Sequence, residues 1–396
     1  MSRILLATLL LFCTSHLAAQ ETAPPQPTFA EAQAAYTQSQ ADYKAAITEI
    51  ETLRGEYQTA NPERQAEINA ALGAKVSAAG KLVNTMVDRA VELYKLDPKA
   101  DPNIGKLLVA IVEHSVVGRV FPNGAAQDGG DSYERALPLI AALLAGGDAT
   151  PELPVWGILA AFATNDFDLA QKYLDQAKAS GALDKPPTKE GPAQEAFGLA
   201  MGFAAQLEKY KQLWADEQKI RAAEAEADDL PRVKLSTSKG DIVIELFENE
   251  APIATANFIT LVKKGYYDGL TFHRVLPHFM AQGGDPTGTG SGGPGYSIAC
   301  ECYEPNARHH FRGTLSMAHA GRDTGGSQFF LTFVPTGHLD GRHTAFGRVI
   351  EGFEVLGELQ KIDPEKRGPM QPDKIVKAEV IRDRGHEYKF EKLPER

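Results

Sequence analysis

From Phe29 to about Leu96 the apolar positions recur at helical spacing on an Ala-, Gln- and Glu-rich background. Tyr36, Tyr43, Ile47, Ile50 and Tyr57 form one stripe, and Ile68, Leu72, Ala79, Leu82, Met86 and Leu93 a second. Residues three, four and seven apart share one face of a helix, so each stripe predicts a helix with one apolar side. Between them, Asn61-Pro62-Glu63 supplies an N-cap and a proline at the first helical position. So short a turn predicts an antiparallel hairpin, either a structural or dimerising arm or an arm that grips a partner. Asp97-Pro98 and Asp101-Pro102 close this unit, expected to cover residues 21–99 with a Pro-rich tether (21–28) at its start.

Residues 100–230 continue the helical period. Tyr133, Ala136, Ile140 and Gly147 recur thirty-four positions later as Phe167, Ala170, Leu174 and Gly181, with an apolar stretch over Pro151–Asn165 between them. Helix pairs at that period resemble tetratricopeptide repeats, which stack into concave protein-binding surfaces. An Ala-rich helical domain produces similar spacing by composition, so both readings stand. The acidic run Ala223–Asp229 ends the region, and Leu230-Pro231 marks the expected domain boundary.

There the period changes to two. Val233, Leu235, Ile242, Ile244 and Leu246 alternate with polar residues about Ser238-Lys239-Gly240, which predicts a hairpin. Pro252–Lys264 reads as an amphipathic helix closed by Gly265. Strands are expected at Thr271–Val275, Phe279–Gln282, Gly313–Ala318, Gln328–Phe333, Thr344–Val349 and Ile375–Ile381, with a second helix at Phe353–Lys361. Many short strands, few helices and glycine-rich connections predict a multidomain chain whose all-α N-terminal region precedes a closed β-barrel capped by helices. The barrel domain is expected over residues 231–386, with 387–396 as a tail.

Composition narrows the partners. A net charge of −11 excludes a phosphate-neutralising surface, and with it nucleic acid. Arg3, the apolar run Ile4–Phe12 and Leu17-Ala18-Ala19 read as a signal peptide over residues 1–20. That predicts an exported protein, periplasmic or extracellular, with an uncleaved N-terminal anchor as the alternative and no later membrane span. Cys300 and Cys302 then remain, with three readings open: reduced thiols, a strained disulfide, or a zinc site with His309, His310 and His319.

The densest chemistry lies at Phe272–Asp285 (FHRVLPHFMAQGGD), which sets Arg274 among apolar side chains. An unpaired buried guanidinium is strongly disfavoured, so Arg274 reaches water or is held for a purpose. With LSMAHA (Leu315–Ala320), GGSQFF (Gly325–Phe330) and HLDGRHTAFGR (His338–Arg348), this stretch closely resembles the cyclophilin family of peptidyl-prolyl cis–trans isomerases. The resemblance covers about Arg232–Arg384 and nothing before it. It implies Arg274 as the catalytic arginine with Gln282 holding it. It implies Phe279, Met280, Phe330 and Leu339 as the proline pocket with His343 at its edge, Gln328 on the peptide backbone, and Ala318, His319 and Ala320 as the segment against which substrate lies. By composition alone the four apolar residues would read as barrel core. His338, also expected as a substrate contact, stands where many members carry tryptophan, which implies weak inhibition by cyclosporin, and His319 where asparagine is frequent. The run Gly288–Gly295 lacks the GK[ST] of a phosphate loop and reads as a flexible surface loop. No cofactor or metal is implied. The expected function is isomerisation of X-Pro bonds in unfolded or newly exported proteins. The alternative is a proline-peptide scaffold without turnover, whose helical region is the main partner-binding unit.

Overall fold

The computed structural model describes residues 26–120, 127–366 and 370–395; the expected signal segment lies outside them. The described residues fall into two compact units, one ending at Arg89 and one beginning at Ala90.

In the first unit, α1 (Phe29–Tyr57) opens on a capping box, in which the Thr28 hydroxyl accepts from the Glu31 N–H and the Glu31 carboxylate accepts from the Thr28 N–H. Asn61 caps α2 (Pro62–Leu96) by accepting the Arg64 N–H at 2.9 Å. The ion pairs Glu56–Arg64 and Glu49–Lys75 nest about this turn, so the two helices run antiparallel, as the stripes predicted. The unit ends at Arg89, inside α2 and short of the expected residue 99.

The second unit begins with α3 (Pro102–Val116), α4 (Tyr133–Ala145), α5 (Leu153–Ala163), α6 (Phe167–Ser180), α7 (Pro192–Ala204) and α8 (Leu207–Ala227). Every residue of α5 is buried, with α4, α6 and α7 packed against it. The thirty-four-residue period has a physical counterpart. Tyr133 and Phe167 open α4 and α6, Ala136 and Ala170 are fully buried, and Gly147 and Gly181 take left-handed φ of +77° and +69° after the helix ends.

Apart from a two-residue antiparallel pairing of Arg119–Val120 with Gln127–Asp128, which interrupts the expected all-α region, strand structure starts at once after Leu230-Pro231. The strands are β1 (Arg232–Thr237), β2 (Asp241–Leu246), β3 (Arg274–Leu276), β4 (Met280–Gly283), β5 (Thr314–Met317), β6 (Phe329–Thr332), β7 (Ala345–Glu351) and β8 (Ile375–Arg382). They form one antiparallel sheet in the order β8-β1-β2-β7-β5-β6-β4-β3. The seam is closed by residues just before β3. Gly269 and Phe272 donate to the carbonyls of Ile375 and Asp373 at 2.7 and 2.9 Å, and Ile375 donates back to Leu270 at 2.8 Å. Those sideways bonds explain why β3 starts at Arg274 and not at the expected Thr271. The helix α9 (Pro252–Lys263) covers the core, with Phe258 set edge-on to Phe329 and Phe346. A second short helix, α10 (Phe353–Glu358), follows β7.

The expected break at Leu230-Pro231 is a change of secondary structure and not of compactness. Arg308 has a side-chain exposure of 1% and bonds Glu217 and Glu224 of α8. Arg348 of β7 spans Glu224 and Glu245 at 2.5 and 2.6 Å. Arg312 pairs with Glu134 of α4, and Phe311 packs edge-on to Trp214. Charges withdrawn from water are tolerated only when paired and hydrogen-bonded, so these arginines tie barrel to helices.

Candidate active site

Strand alternation sorts the residues of β3 and β4 by face. Val275 and Ala281 point into the core, whereas Arg274, Met280 and Gln282 point outward. Arg274 is paired in register with Gln282, Gln282 with Phe330 of β6, and Phe330 with Ser316 of β5. One row thus crosses four strands on the outer face of the barrel, where a cleft of about 540 Å³ opens.

This cleft collects Arg274, Phe279, Met280, Gln282, Ala318, His319, Ala320, Gln328, Phe330, Leu339 and His343, residues spread over the whole barrel sequence. The Arg274 guanidinium carbon lies 5.9 Å from the Phe279 ring centroid, and among the described residues it has neither a hydrogen bond nor an ion pair. Its donors are therefore open to the cleft. Gln282, across the ladder, donates from Nε2 to Gln328 Oε1 at 2.9 Å and makes no hydrogen bond to the guanidinium. Gln328 in turn donates to the carbonyls of Gly290 and Gly292, both at 2.9 Å.

The run Gly288–Gly295 is a surface loop, exposed over most of its length. It wraps the buried carboxylate of Asp285, which accepts the N–H groups of Thr287, Thr289 and Gly290 and the Thr287 hydroxyl. Burial raises this carboxyl, but those donors outweigh it and hold the pKa down to about 2. The loop's own acid fills its nest of N–H groups, and the loop forms one wall of the cleft.

At the other end Phe330 lies 5.5 Å from the His343 ring, edge-on, and His343 stacks on His319 at 4.2 Å. Burial pushes the His343 imidazole below its ordinary value, so it is neutral at pH 7. Beneath Phe330, His310 stacks at 6.1 Å and bridges Asp340 Oδ1 and Ser316 Oγ at 2.8 and 2.9 Å. Burial opposes ionisation of Asp340, yet hydrogen bonds from His309 and His310 prevail and lower its pKa.

His338 is the one expected substrate contact that the cleft does not include. Its ring lies behind Phe279, 5.7 Å away, and lines a neighbouring groove. Sequence reasoning gave His310 only as a zinc candidate, and gave Asp340 no role although it stands inside the HLDGRHTAFGR motif. It also missed Glu395, which reaches the cleft because Leu393 bridges to Ser297 through a pair of main-chain hydrogen bonds at 2.8 and 3.0 Å. Cys300 and Cys302 are free thiols, which removes the disulfide reading. Cys300 Sγ accepts the Asp323 N–H, and among the described residues no group of three or more His, Cys, Asp or Glu is placed to hold a metal.

A curled antiparallel sheet with an open arginine and an apolar pocket on its outer face defines a cleft that sets one cationic donor beside an apolar floor. The family model described as "Cyclophilin type peptidyl-prolyl cis-trans isomerase/CLD" matches residues 232–380. A "Peptidyl-prolyl cis-trans isomerase" of Helicobacter pylori is 52% identical over 150 residues, covering 36% of this chain and 91% of the relative. One of Synechococcus elongatus is 60% identical over 131 residues, covering 33% and 88%. A solved Cryptosporidium parvum cyclophilin-type isomerase "in the presence of dipeptide ala-pro" is 38% identical, covering 38% of this chain and 98% of that one, at a TM-score of 0.35. The chain belongs to the cyclophilin-type peptidyl-prolyl cis–trans isomerases.

Proposed function

We propose that this chain is an exported isomerase that turns X-Pro bonds in unfolded or newly translocated proteins, with its helical part as the client-binding region. The unpaired Arg274 guanidinium beside an apolar pocket is the observation that carries this reading. Amide resonance opposes rotation by about 18–20 kcal/mol, and relieving it requires neither bond cleavage nor proton transfer. In the twisted state the prolyl nitrogen regains a lone pair. An Arg274 donor bonds it there and has no equivalent acceptor in the planar amide, so the interaction is differential. Phe279, Met280, Phe330 and Leu339 hold the ring while the flanking chain turns. Gln282, locked to Gln328, fixes the strand face opposite the arginine. The N-terminal pattern Arg3, Ile4–Phe12, Leu17-Ala18-Ala19 supports export, and the paired helices about α5 support a protein-binding role.

A protease-coupled assay on a short X-Pro peptide tests the mechanism. A charge-assisted hydrogen bond contributes about 1.5–3 kcal/mol, so Arg274→Ala should lower kcat/KM about ten- to a hundredfold. Equal rates would leave a peptide-binding module without this mechanism. N-terminal sequencing of the mature protein from the cell envelope tests export, and an intact Met1 on protein retained in the cytoplasm would refute it.

A further inference from the structure

After β8 the chain runs back to the cleft, and its course there is pinned at several points. Tyr388 and Phe390 are partly buried against the barrel core. The Tyr388 hydroxyl accepts the Arg384 N–H at 3.2 Å, and Phe390 lies 5.9 Å from the Tyr296 ring. Lys392 Nζ stands 4.3 Å from the centroid of that same ring. Leu393 then exchanges two main-chain hydrogen bonds with Ser297, at 2.8 and 3.0 Å. Glu395 follows directly after Pro394 and lines the cleft. This whole segment lies beyond the family match, which ends at residue 380.

Glu395 differs in charge from the rest of that lining. Among the described residues that line the cleft it is the one carboxylate, as Arg274 is the one guanidinium. It is exposed, and among the described residues it has neither a hydrogen bond nor an ion pair. Cations on neighbouring segments are engaged elsewhere, Lys392 on Tyr296 and Arg322 on Tyr303. A Cβ added at Gly293 would lie 3.6 Å from Glu395 Oε1, so the carboxylate stands over a residue with no side chain to cover it. Nor do Glu395 and Arg274 neutralise each other. Gln282 faces Arg274 across the ladder, Gln282 bonds Gln328, and Gln328 bonds the carbonyl of Gly292, next to the glycine under Glu395. The cleft therefore holds a cation at one part and an anion at another, with two glutamines between them.

An open carboxylate on the wall of a peptide cleft attracts a cationic side chain and repels an anionic one. A lysine ammonium or an arginine guanidinium is the complement, and Arg274 disfavours that same cation at the prolyl end. Opposite charges at separate points make one direction of an extended peptide better than the other. Water and salt screen an exposed pair, so the gain is modest, up to about fivefold. The pinned main chain keeps it from vanishing, because the carboxylate need not be ordered when a client arrives.

We propose that Glu395 is a specificity-determining residue of the isomerase, favouring clients that carry lysine or arginine near the isomerised proline. The proposal rests on the reading of the cleft as the prolyl site.

The test uses the full chain and short X-Pro peptides with a single Lys, Gln or Glu at successive positions on either side of the proline. NMR exchange follows turnover, since a coupling protease would add its own charge preference. At one position the wild type should turn over Lys faster than Gln by up to about fivefold in kcat/KM, with Glu slowest. Added salt should shrink both differences. Glu395→Gln should bring the three peptides together, and Glu395→Lys should reverse their order. Glu391→Gln makes the same change of net charge at an exposed residue outside the cleft, and should leave the order as it is. Equal turnover of the three peptides by the wild type overturns the proposal. So does an order that survives Glu395→Gln, or one that Glu391→Gln abolishes as well. If Arg274→Ala turns over the Gln peptide as fast as wild type, the prolyl reading itself fails. If Arg274→Ala is slow and the order is absent, only the role of Glu395 fails.

Discussion

Arg274 sits within 5.9 Å of an aromatic face and opposite a glutamine whose amide is already committed to Gln328. Removing that second contact should let the strand face drift. Gln282→Ala should therefore raise KM and lower kcat about tenfold, the scale of one charge-assisted or positioning hydrogen bond, measured in the protease-coupled assay. Because bond rotation moves no proton, the pH profile reports only the rim. His343 has a pKa below its ordinary 6.5 through burial, so kcat/KM should be flat from about pH 7 to 9 and fall only as that ring charges beside Phe330. A bell-shaped profile centred in that window would contradict the mechanism. Asp285 gives the acid side. Its folded pKa is depressed to about 2, so its contribution to stability is complete above the ordinary carboxyl value of 3.8 and is lost as pH falls through about 2. Asp285→Asn should remove that acid dependence and lower the melting temperature at pH 7. At this scale the outward row Arg274–Gln282–Phe330 was legible, because alternation and a dense motif both mark it. Glu395 was not. It reaches the cleft through one isolated bridge between Ser297 and Leu393, and no local pattern encodes a pairing that distant.

The helix α8 carries on one side the carboxylates that the barrel arginines need. Glu217 takes Arg308 at 2.7 Å and Arg221 at 2.7 Å, while Glu224 takes Arg308 and Arg348. Burial opposes the Glu217 charge, but Arg308 outweighs it and the carboxyl is lowered. Removing one partner of a buried pair leaves an uncompensated charge and costs about 3–5 kcal/mol. Glu217→Ala should therefore cost that order in chemical denaturation. A double variant Glu217→Leu/Arg308→Met should cost less than the single one, because it does not leave the buried Arg308 short of a carboxylate, whereas Arg221 loses Glu217 in either variant. From sequence, the acidic run Ala223–Asp229 marked only the end of the helical region. Periodicity marks where an element lies; only the packing shows that Glu217 and Glu224 are buried. The strands were legible within a few residues because alternation follows from the pleat, whereas the seam at Gly269–Ile375 was hidden in a segment with no alternation of its own.

Across residues 90–396 the helical and barrel parts share Arg308, Arg312, Arg348, Phe311 and the Asp131–Tyr133–His278 cluster. His278 stands at φ +57°, a conformation few non-glycine residues adopt, and its N–H is held by Asp131 across the sequence gap from 131 to 278. The next residue is Phe279, on the wall of the cleft. The coupling runs both ways: the barrel cannot lose the helices without leaving buried arginines unpaired, and the loop before Phe279 cannot lose Asp131 without losing the bond that holds its strained residue. Residues 90–396 should therefore unfold in one calorimetric transition. A fragment of residues 232–396 should melt well below the full chain and show a raised KM even on short peptides, whereas the family resemblance alone, confined to 232–380, would lead one to expect an independent enzyme. Matching melting temperatures and KM values for fragment and full chain would show that the helices only decorate the barrel. A lowered melting temperature together with a raised KM would make them part of the site.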